Sequence, residues 1–117
     1  MNINTIQLGI NHLDSCVELD KISLKGLWSR IQWEKELIDP KRICLGIIEI
    51  ETKKLLSFCS AWLVLDELHI TSIAVHPLYL RKGLGRLIMS DLINRSKELQ
   101  TKQIYLEVKD TNESAKA

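Results

Sequence analysis

Apolar positions along the chain change their period several times, and each change marks an element. Residues 3–10 are β-branched and apolar enough for a first strand. From Asp14 to Ser23 the spacing predicts a helix, with Asp14 able to cap its exposed N–H groups. A second helix is predicted from Ser29 to Ile38. It carries Ile31, Glu34 and Leu37 at helical spacing and stops before Pro40. Ile43 to Ile50 and Leu55 to Leu65 are apolar runs joined by a polar turn, Glu51-Thr52-Lys53-Lys54, the pattern of an antiparallel hairpin. Asp66-Glu67 turns into a third strand of this meander, Leu68 to Val75, which Pro77 ends.

After a loop from His76 to Lys82 the period is helical again. Leu84, Leu87, Ile88, Leu92 and Leu99 fall on one face, with Arg86, Asp91, Asn94, Arg95 and Lys97 largely outside it. Ile104 to Val108 then alternates, Ile104, Leu106 and Val108 facing one way and Tyr105 and Glu107 the other. The expected fold is mixed α/β: a central, mostly antiparallel sheet with one β-α-β crossover and flanking helices. Thr111 and Asn112 are N-cap residues that open a last helix, yet the chain stops after about one turn, whereas isolated helices need ~12–15 residues. That is expected of a chain cut short within a longer domain, with its last strands missing; a fraying tail is the alternative.

The 117 residues fit one domain, residues 1–117, with 45% apolar and 26% charged side chains, so disorder is not expected. A net charge of +1 supplies no broad basic field for nucleic acid or a membrane surface, so charge-driven binding has to be local. Cys16, Cys44 and Cys59 form no Cys-x-x-Cys pair and fit neither a disulfide framework nor a zinc site; they read as buried residues of a reducing compartment. His12, His69 and His76 have no metal-like spacing, and no metal is expected. The start lacks a signal-peptide pattern, and the longest apolar run, Phe58 to Leu65, is far short of the ~20 residues of a membrane helix. A soluble cytoplasmic protein is expected.

The segment richest in chemistry is Leu80-Arg81-Lys82-Gly83-Leu84-Gly85-Arg86, between a strand and an amphipathic helix. The first N–H groups of a helix have no internal partners and carry about half a positive charge. Gly83 and Gly85 let a ligand approach the backbone, and Arg81, Lys82 and Arg86 add formal charge, a combination suited to a diphosphate. A dinucleotide fingerprint fails at Ile88, and a P-loop fails at Gly85-Arg86-Leu87. By itself the segment is equally consistent with a glycine turn whose basic residues face water.

The run from Ile70 to Met89, with Ile73-Ala-Val-His-Pro and Arg81-Lys-Gly-Leu-Gly-Arg, resembles the acetyl-CoA-binding segment of the Gcn5-related N-acetyltransferase (GNAT) superfamily. Ile104-Tyr-Leu-Glu-Val-Lys-Asp-Thr-Asn, followed by an Ala-containing helix start, looks like its RimI-like branch, the ribosomal-protein-alanine N-acetyltransferases; Leu27-Trp28-Ser29 also fits that branch. The resemblance implies that Ile73, Ala74 and Val75 offer backbone groups to the pantetheine arm of acetyl-CoA. It implies that Arg81, Lys82, Gly83, Leu84, Gly85 and Arg86 hold the diphosphate, and that Asn112 contacts the cofactor. Glu107 is implied as the general base, and the acceptor as a protein N-terminal α-amine, favoured on an alanine-starting ribosomal protein. No direct nucleic-acid contact is implied.

Two departures from the family stand out. Leu80 replaces the usual glutamine or arginine, removing a polar side chain but not the backbone cradle. The family domain also continues beyond the position of Ala117, into a Leu-Tyr pair whose tyrosine is the expected acid for the leaving thiolate. Two other functions therefore stay open: a truncated, catalytically inactive domain that binds CoA or a protein, and an acetyltransferase acting on a small amine. Glu107 has a case of its own, since an α-amine of pKa ~7.7–8.0 needs only modest help to lose its proton; the bland alternative is an exposed strand carboxylate. Trp33 and Trp62 read as packing residues, whereas Trp28, in the link between two helices, is a candidate for the acceptor groove.

Overall fold

A computed structural model of the chain describes residues 2–106; Glu107, Val108 and Asn112 lie outside the described residues, as does the helix start expected at Thr111. Five strands and three helices follow in the order β1 (Ile3–Gln7), α1 (Leu13–Leu24), α2 (Arg30–Ile38), β2 (Arg42–Glu49), β3 (Leu55–Val64), β4 (Glu67–Val75), α3 (Leu84–Glu98) and β5 (Gln103–Leu106). Strand order in the sheet is β1-β2-β3-β4-β5, antiparallel throughout except for β4 and β5, which run parallel across the α3 connection. The expected mixed α/β architecture is present.

Helices cover both faces of this sheet. On one side Leu84, Ile88 and Leu92 of α3 pack on Ile43, Leu45 and Ile47 of β2 and on Leu68, Ile70 and Ile73 of β4. On the other, Cys16, Leu19 and Leu24 of α1 and Trp33 of α2 pack on Cys44, Phe58 and Ala74. Two bulges decide which residues reach which side. Leu56 is an extra residue of β3 against β2, and Thr71 an extra residue of β4 against β3. Inward positions therefore jump by three, from Leu56 to Cys59 and from Ile70 to Ile73, where a regular strand would step by two.

Several sequence expectations need correction. Helix α1 begins at Leu13, so its N-cap is His12, and Asp14 lies inside the first turn, ion-paired at the surface with Arg30. Helix α2 does start from Ser29, whose hydroxyl accepts the Gln32 N–H while Gln32 Oε1 accepts the Ser29 N–H, a reciprocal cap. The inner face of α2 is made by Trp33 and Glu36, however, and Ile31 and Glu34 face water. On α3 the buried stripe is Leu84, Ile88, Leu92 and Ser96, a strict four-residue step that leaves Leu87 and Leu99 exposed. Strand β1 ends at Gln7, short of the expected residue 10, and a 3-10 turn over Ile10–His12 leads into α1.

The link between α1 and α2 is organised by one buried carboxylate. Asp20 accepts N–H bonds from Leu27 at 2.7 Å, from Trp28 at 2.9 Å and from the Trp33 indole at 2.8 Å. Its own carbonyl takes the N–H groups of Lys25, in left-handed conformation at φ 59°, and of Gly26. This fixes Trp28, whose ring meets Trp33 edge-on at 4.8 Å, beside the end of the sheet where the candidate site lies.

Candidate functional site

Strand β5 pairs with β4 only over residues 67–70, so among the described residues the second half of β4 has no neighbour on that edge. His76 N–H donates to the Leu56 carbonyl, and the Ala74 carbonyl accepts the Ser57 hydroxyl at 2.6 Å; both turn toward β3. Alternation along the strand then turns the backbone groups of Ile73 and Val75 to the open edge. Ser23 Oγ donates to the Val75 carbonyl at 3.0 Å, which leaves the Val75 N–H as the donor there.

Beside this edge, on the α3 side, runs a groove of about 900 Å³. Ile73 and Val75 form one bank, with Met89 and Ile93 of α3 facing them. Its head is the start of α3, where Arg81, Gly83, Leu84, Gly85 and Arg86 all line the groove. Gly83 caps α3 in left-handed conformation at φ 80°, and a Cβ there would project into open space. A Cβ on Gly85 would meet only Val75 Cγ2, at 3.8 Å. Thus the backbone at the start of α3 is uncovered, with the arginines beside it, and its first N–H groups have no partner within the helix. Two residues of the expected set stand apart: the Ala74 methyl is buried in the opposite core, and Lys82, though exposed, is not part of the lining.

A second cavity, of about 510 Å³, opens on the other face of the sheet. Leu27 and Trp28 of the α1–α2 link, Lys35 and Glu36 of α2, Arg42 of β2 and the bulge residue Thr71 line it. Glu36 is only 8% exposed. Its Oε2 accepts the Ser60 hydroxyl at 2.8 Å and lies 3.4 Å from Arg42 Nη1, while the Cys44 thiol donates to Ser60 Oγ. Arg42 is held from above by Trp62, whose ring centroid is 4.4 Å from the guanidinium carbon. Burial raises the Glu36 pKa above the ordinary carboxylate value; the Ser60 hydrogen bond and Arg42 oppose this. His76, just after β4, is buried and its pKa is lowered, first by desolvation and then by Lys54.

Sequence reasoning found the groove and missed most of the cavity. Trp28 is the member it marks as a candidate for the acceptor groove, with Leu27 beside it in Leu27-Trp28-Ser29, whereas Glu36, Arg42 and Thr71 come together only through the sheet. The available signal was Glu36, a carboxylate three residues after Trp33 and so on the same helix face. Among the described residues no group of His, Cys, Asp and Glu could hold a metal ion, and no helix is long and apolar enough to cross a membrane.

Comparison with known proteins gives one consistent picture. Residues 10–117 match the family model of the acetyltransferase (GNAT) family. A Bacillus subtilis relative named for ribosomal protein bS18-alanine N-acetyltransferase activity is 26% identical over 106 residues, covering 91% of this chain and 70% of that one. The bS18-alanine N-acetyltransferase of Haemophilus influenzae is 34% identical over 68 residues, 58% of this chain; the match spans about half of the relative, 47%. Among solved structures, the PaiA N-acetyltransferase of Thermoplasma acidophilum, in complex with coenzyme A, superposes with a TM-score of 0.75. Its identity is 16%, and the match covers 91% of this chain and 79% of that one.

Proposed function

The chain belongs to the acetyltransferase (GNAT) family, and from that membership we propose that it transfers the acetyl group of acetyl-CoA to the α-amine at a protein's amino terminus, with an alanine-starting ribosomal protein as the favoured acceptor. The observation that carries this reading is the continuity of the groove. It leads from the uncovered start of α3, with Arg81 and Arg86, to the open backbone edge at Ile73 and Val75.

The residues present fit the group. Leu84, Gly85 and Arg86 offer N–H donors to a diphosphate, and the side-chain-free approach at Gly83 lets it come close. Ile73 offers an extended arm the hydrogen bonds that a neighbouring strand would otherwise make. Acetyl-CoA supplies the thioester carbonyl that the amine attacks. The Val75 N–H would stabilise the negative charge that develops on that carbonyl oxygen, and as the new C–N bond is kept the C–S bond breaks and CoA leaves as its thiolate. Glu107, the next residue in sequence after Leu106, takes the proton from the incoming amine, and Asn112 contacts the pantetheine; both roles rest on the family resemblance.

The test is a thermal melt of the chain with and without acetyl-CoA, followed by a transfer assay. Because a ligand that binds only the folded state stabilises it by RT ln(1 + [L]/Kd), the midpoint should rise with acetyl-CoA. Transfer to an alanine-starting peptide is then expected to exceed transfer to spermidine or an aminoglycoside. A preference for the small amines would replace the acceptor class, and binding without any transfer would leave a CoA-binding domain.

A further inference from the structure

Between the end of β4 and the start of α3 the chain turns round the end of the sheet, and packing does little to hold its first residues there. Pro77 and Leu78 are both exposed, and Pro77 has no N–H to offer. The two amides that follow end on a single residue. The Leu78 N–H donates to His76 Nδ1 at 3.2 Å, and the Tyr79 N–H to the His76 carbonyl at 2.9 Å. His76 is fixed in turn by its own N–H, given to the Leu56 carbonyl at 2.8 Å, and is only 8% exposed. Its ring stands at 81° to that of Tyr79 with centroids 5.4 Å apart, and Lys54 Nζ lies 5.5 Å from the Tyr79 ring centroid.

Beyond this turn lies the head of the groove, which Tyr79, Leu80 and Arg81 line in succession. Arg81 sits at φ 64°, in the left-handed region that a side chain disfavours, so its conformation has to be imposed from both ends. Gly83, the left-handed cap of α3, fixes one end, and the turn anchored on His76 fixes the other. Resting on the acetyltransferase reading, we infer that His76 is a positioning residue for acetyl-CoA. Its Nδ1 lone pair sets the turn, and through it the places of Tyr79 and Arg81 in the groove. The imidazole itself stays outside the groove, in a separate small cavity against Glu18 and Leu19 of α1.

The role requires one nitrogen in one protonation state. Nδ1 accepts only while it carries no proton, so the neutral ring has its hydrogen on Nε2. The titratable groups facing the ring are Glu18 from α1, Lys54 from the turn between β2 and β3, and Tyr79. Burial and Lys54 favour the neutral ring, and Glu18 opposes them. Protonation makes Nδ1 a second donor aimed at the Leu78 N–H, and the bond is lost. An asparagine at this position presents its Oδ1 where Nδ1 stands, whereas a glutamine's Oε1 falls nearer to Nε2. The two amides therefore separate an acceptor at that point from polarity or bulk alone.

The experiment measures CoA affinity by calorimetry on the whole chain, with a thermal melt of each variant as the check on folding. His76→Gln is expected to bind CoA about tenfold more weakly than the wild type, and His76→Asn to stay within about twofold of it. From pH 7 to pH 5 the wild-type affinity should fall about threefold relative to that of His76→Asn. The phosphates of CoA titrate alike in both, so the ratio isolates the imidazole. Three results would each overturn the assignment and leave the acetyltransferase reading standing: a folded His76→Gln that binds CoA like the wild type, a His76→Asn as weak as His76→Gln, or a ratio that is flat over that pH range. If His76→Gln does not fold, the asparagine variant and the pH ratio decide. A wild-type chain that does not bind CoA at pH 7 would instead strike the acetyltransferase reading, and the assignment with it.

Discussion

Asp20 and Trp33 are joined by a buried hydrogen bond of 2.8 Å from the indole N–H to the carboxylate, and the same carboxylate holds the backbone of Leu27 and Trp28. One side chain thereby ties two helices and their connection together. Asp20→Ala strands three donors, each costing about 1–3 kcal/mol when buried without a partner, so a loss of at least ~3 kcal/mol is expected in urea unfolding. Trp33→Phe removes only the indole donor, leaves Asp20 with its two backbone N–H partners, and should cost less. An Asp20→Ala variant as stable as the wild type would mean that water replaces the carboxylate.

Gly83 and Gly85 separate backbone strain from ligand access. At Gly83 any larger residue is forced to a left-handed φ, so Gly83→Val should lose ~1–2 kcal/mol of stability as well as CoA affinity. At Gly85 the added methyl of Gly85→Ala meets the protein only at ordinary contact distance, so folding should be unaffected. The methyl would nevertheless stand in the groove, and CoA affinity measured by calorimetry should fall about tenfold, or ~1.4 kcal/mol. Unchanged affinity in both variants would remove the start of α3 from the site.

Glu107→Gln should lower the rate of transfer by at least a hundredfold while acetyl-CoA affinity stays within about twofold, because a general base acts mainly in the transition state. Stopped-time transfer assays alongside calorimetry would show it. Equal loss of binding and rate would make Glu107 a structural carboxylate.

Cys16, Cys44 and Cys59 are all buried, and burial pushes each thiol up to about 12. At pH 8 the folded protein should therefore react slowly with a disulfide reagent, and all three thiols should appear when urea is added. Unfolded thiols ionise near pH 9, so between pH 9 and 12 the unfolded chain releases protons that the folded one keeps. Stability accordingly falls as pH rises through that interval. Rapid native labelling at pH 8 would contradict the burial of these groups.

The helices and the meander were legible because their signals are local: the Ser29–Gln32 cap, the break at Pro40, the stripe Leu84, Ile88, Leu92. The groove was legible for the same reason, since most of its head lies in Arg81 to Arg86. What escaped were features that need distant residues. His12, not Asp14, ends up preceding α1 because its Nδ1 accepts the Gly9 N–H and closes a turn there. Leu87 looked inward but lies toward β1, where α3 is tied by polar bonds instead, Thr5 to Asp91 and Arg95 to Gln7. The cavity around Glu36 draws on residues 27 to 71, and no period along the chain links them.

The extra residue at Thr71 makes the second half of β4 depend on counting as much as on composition. Removing that one residue would restore the plain two-residue step and leave Ile73 and Val75 on the α3 side, because the pairs Ala61–Ile70 and Ser60–Ser72 would become consecutive. Removing Ile73 instead would turn Ala74 into the groove and Val75 toward α1. Conservative replacements in this stretch leave the order intact, whereas a single-residue deletion past the bulge reverses it, so the strand is governed here by a reading frame.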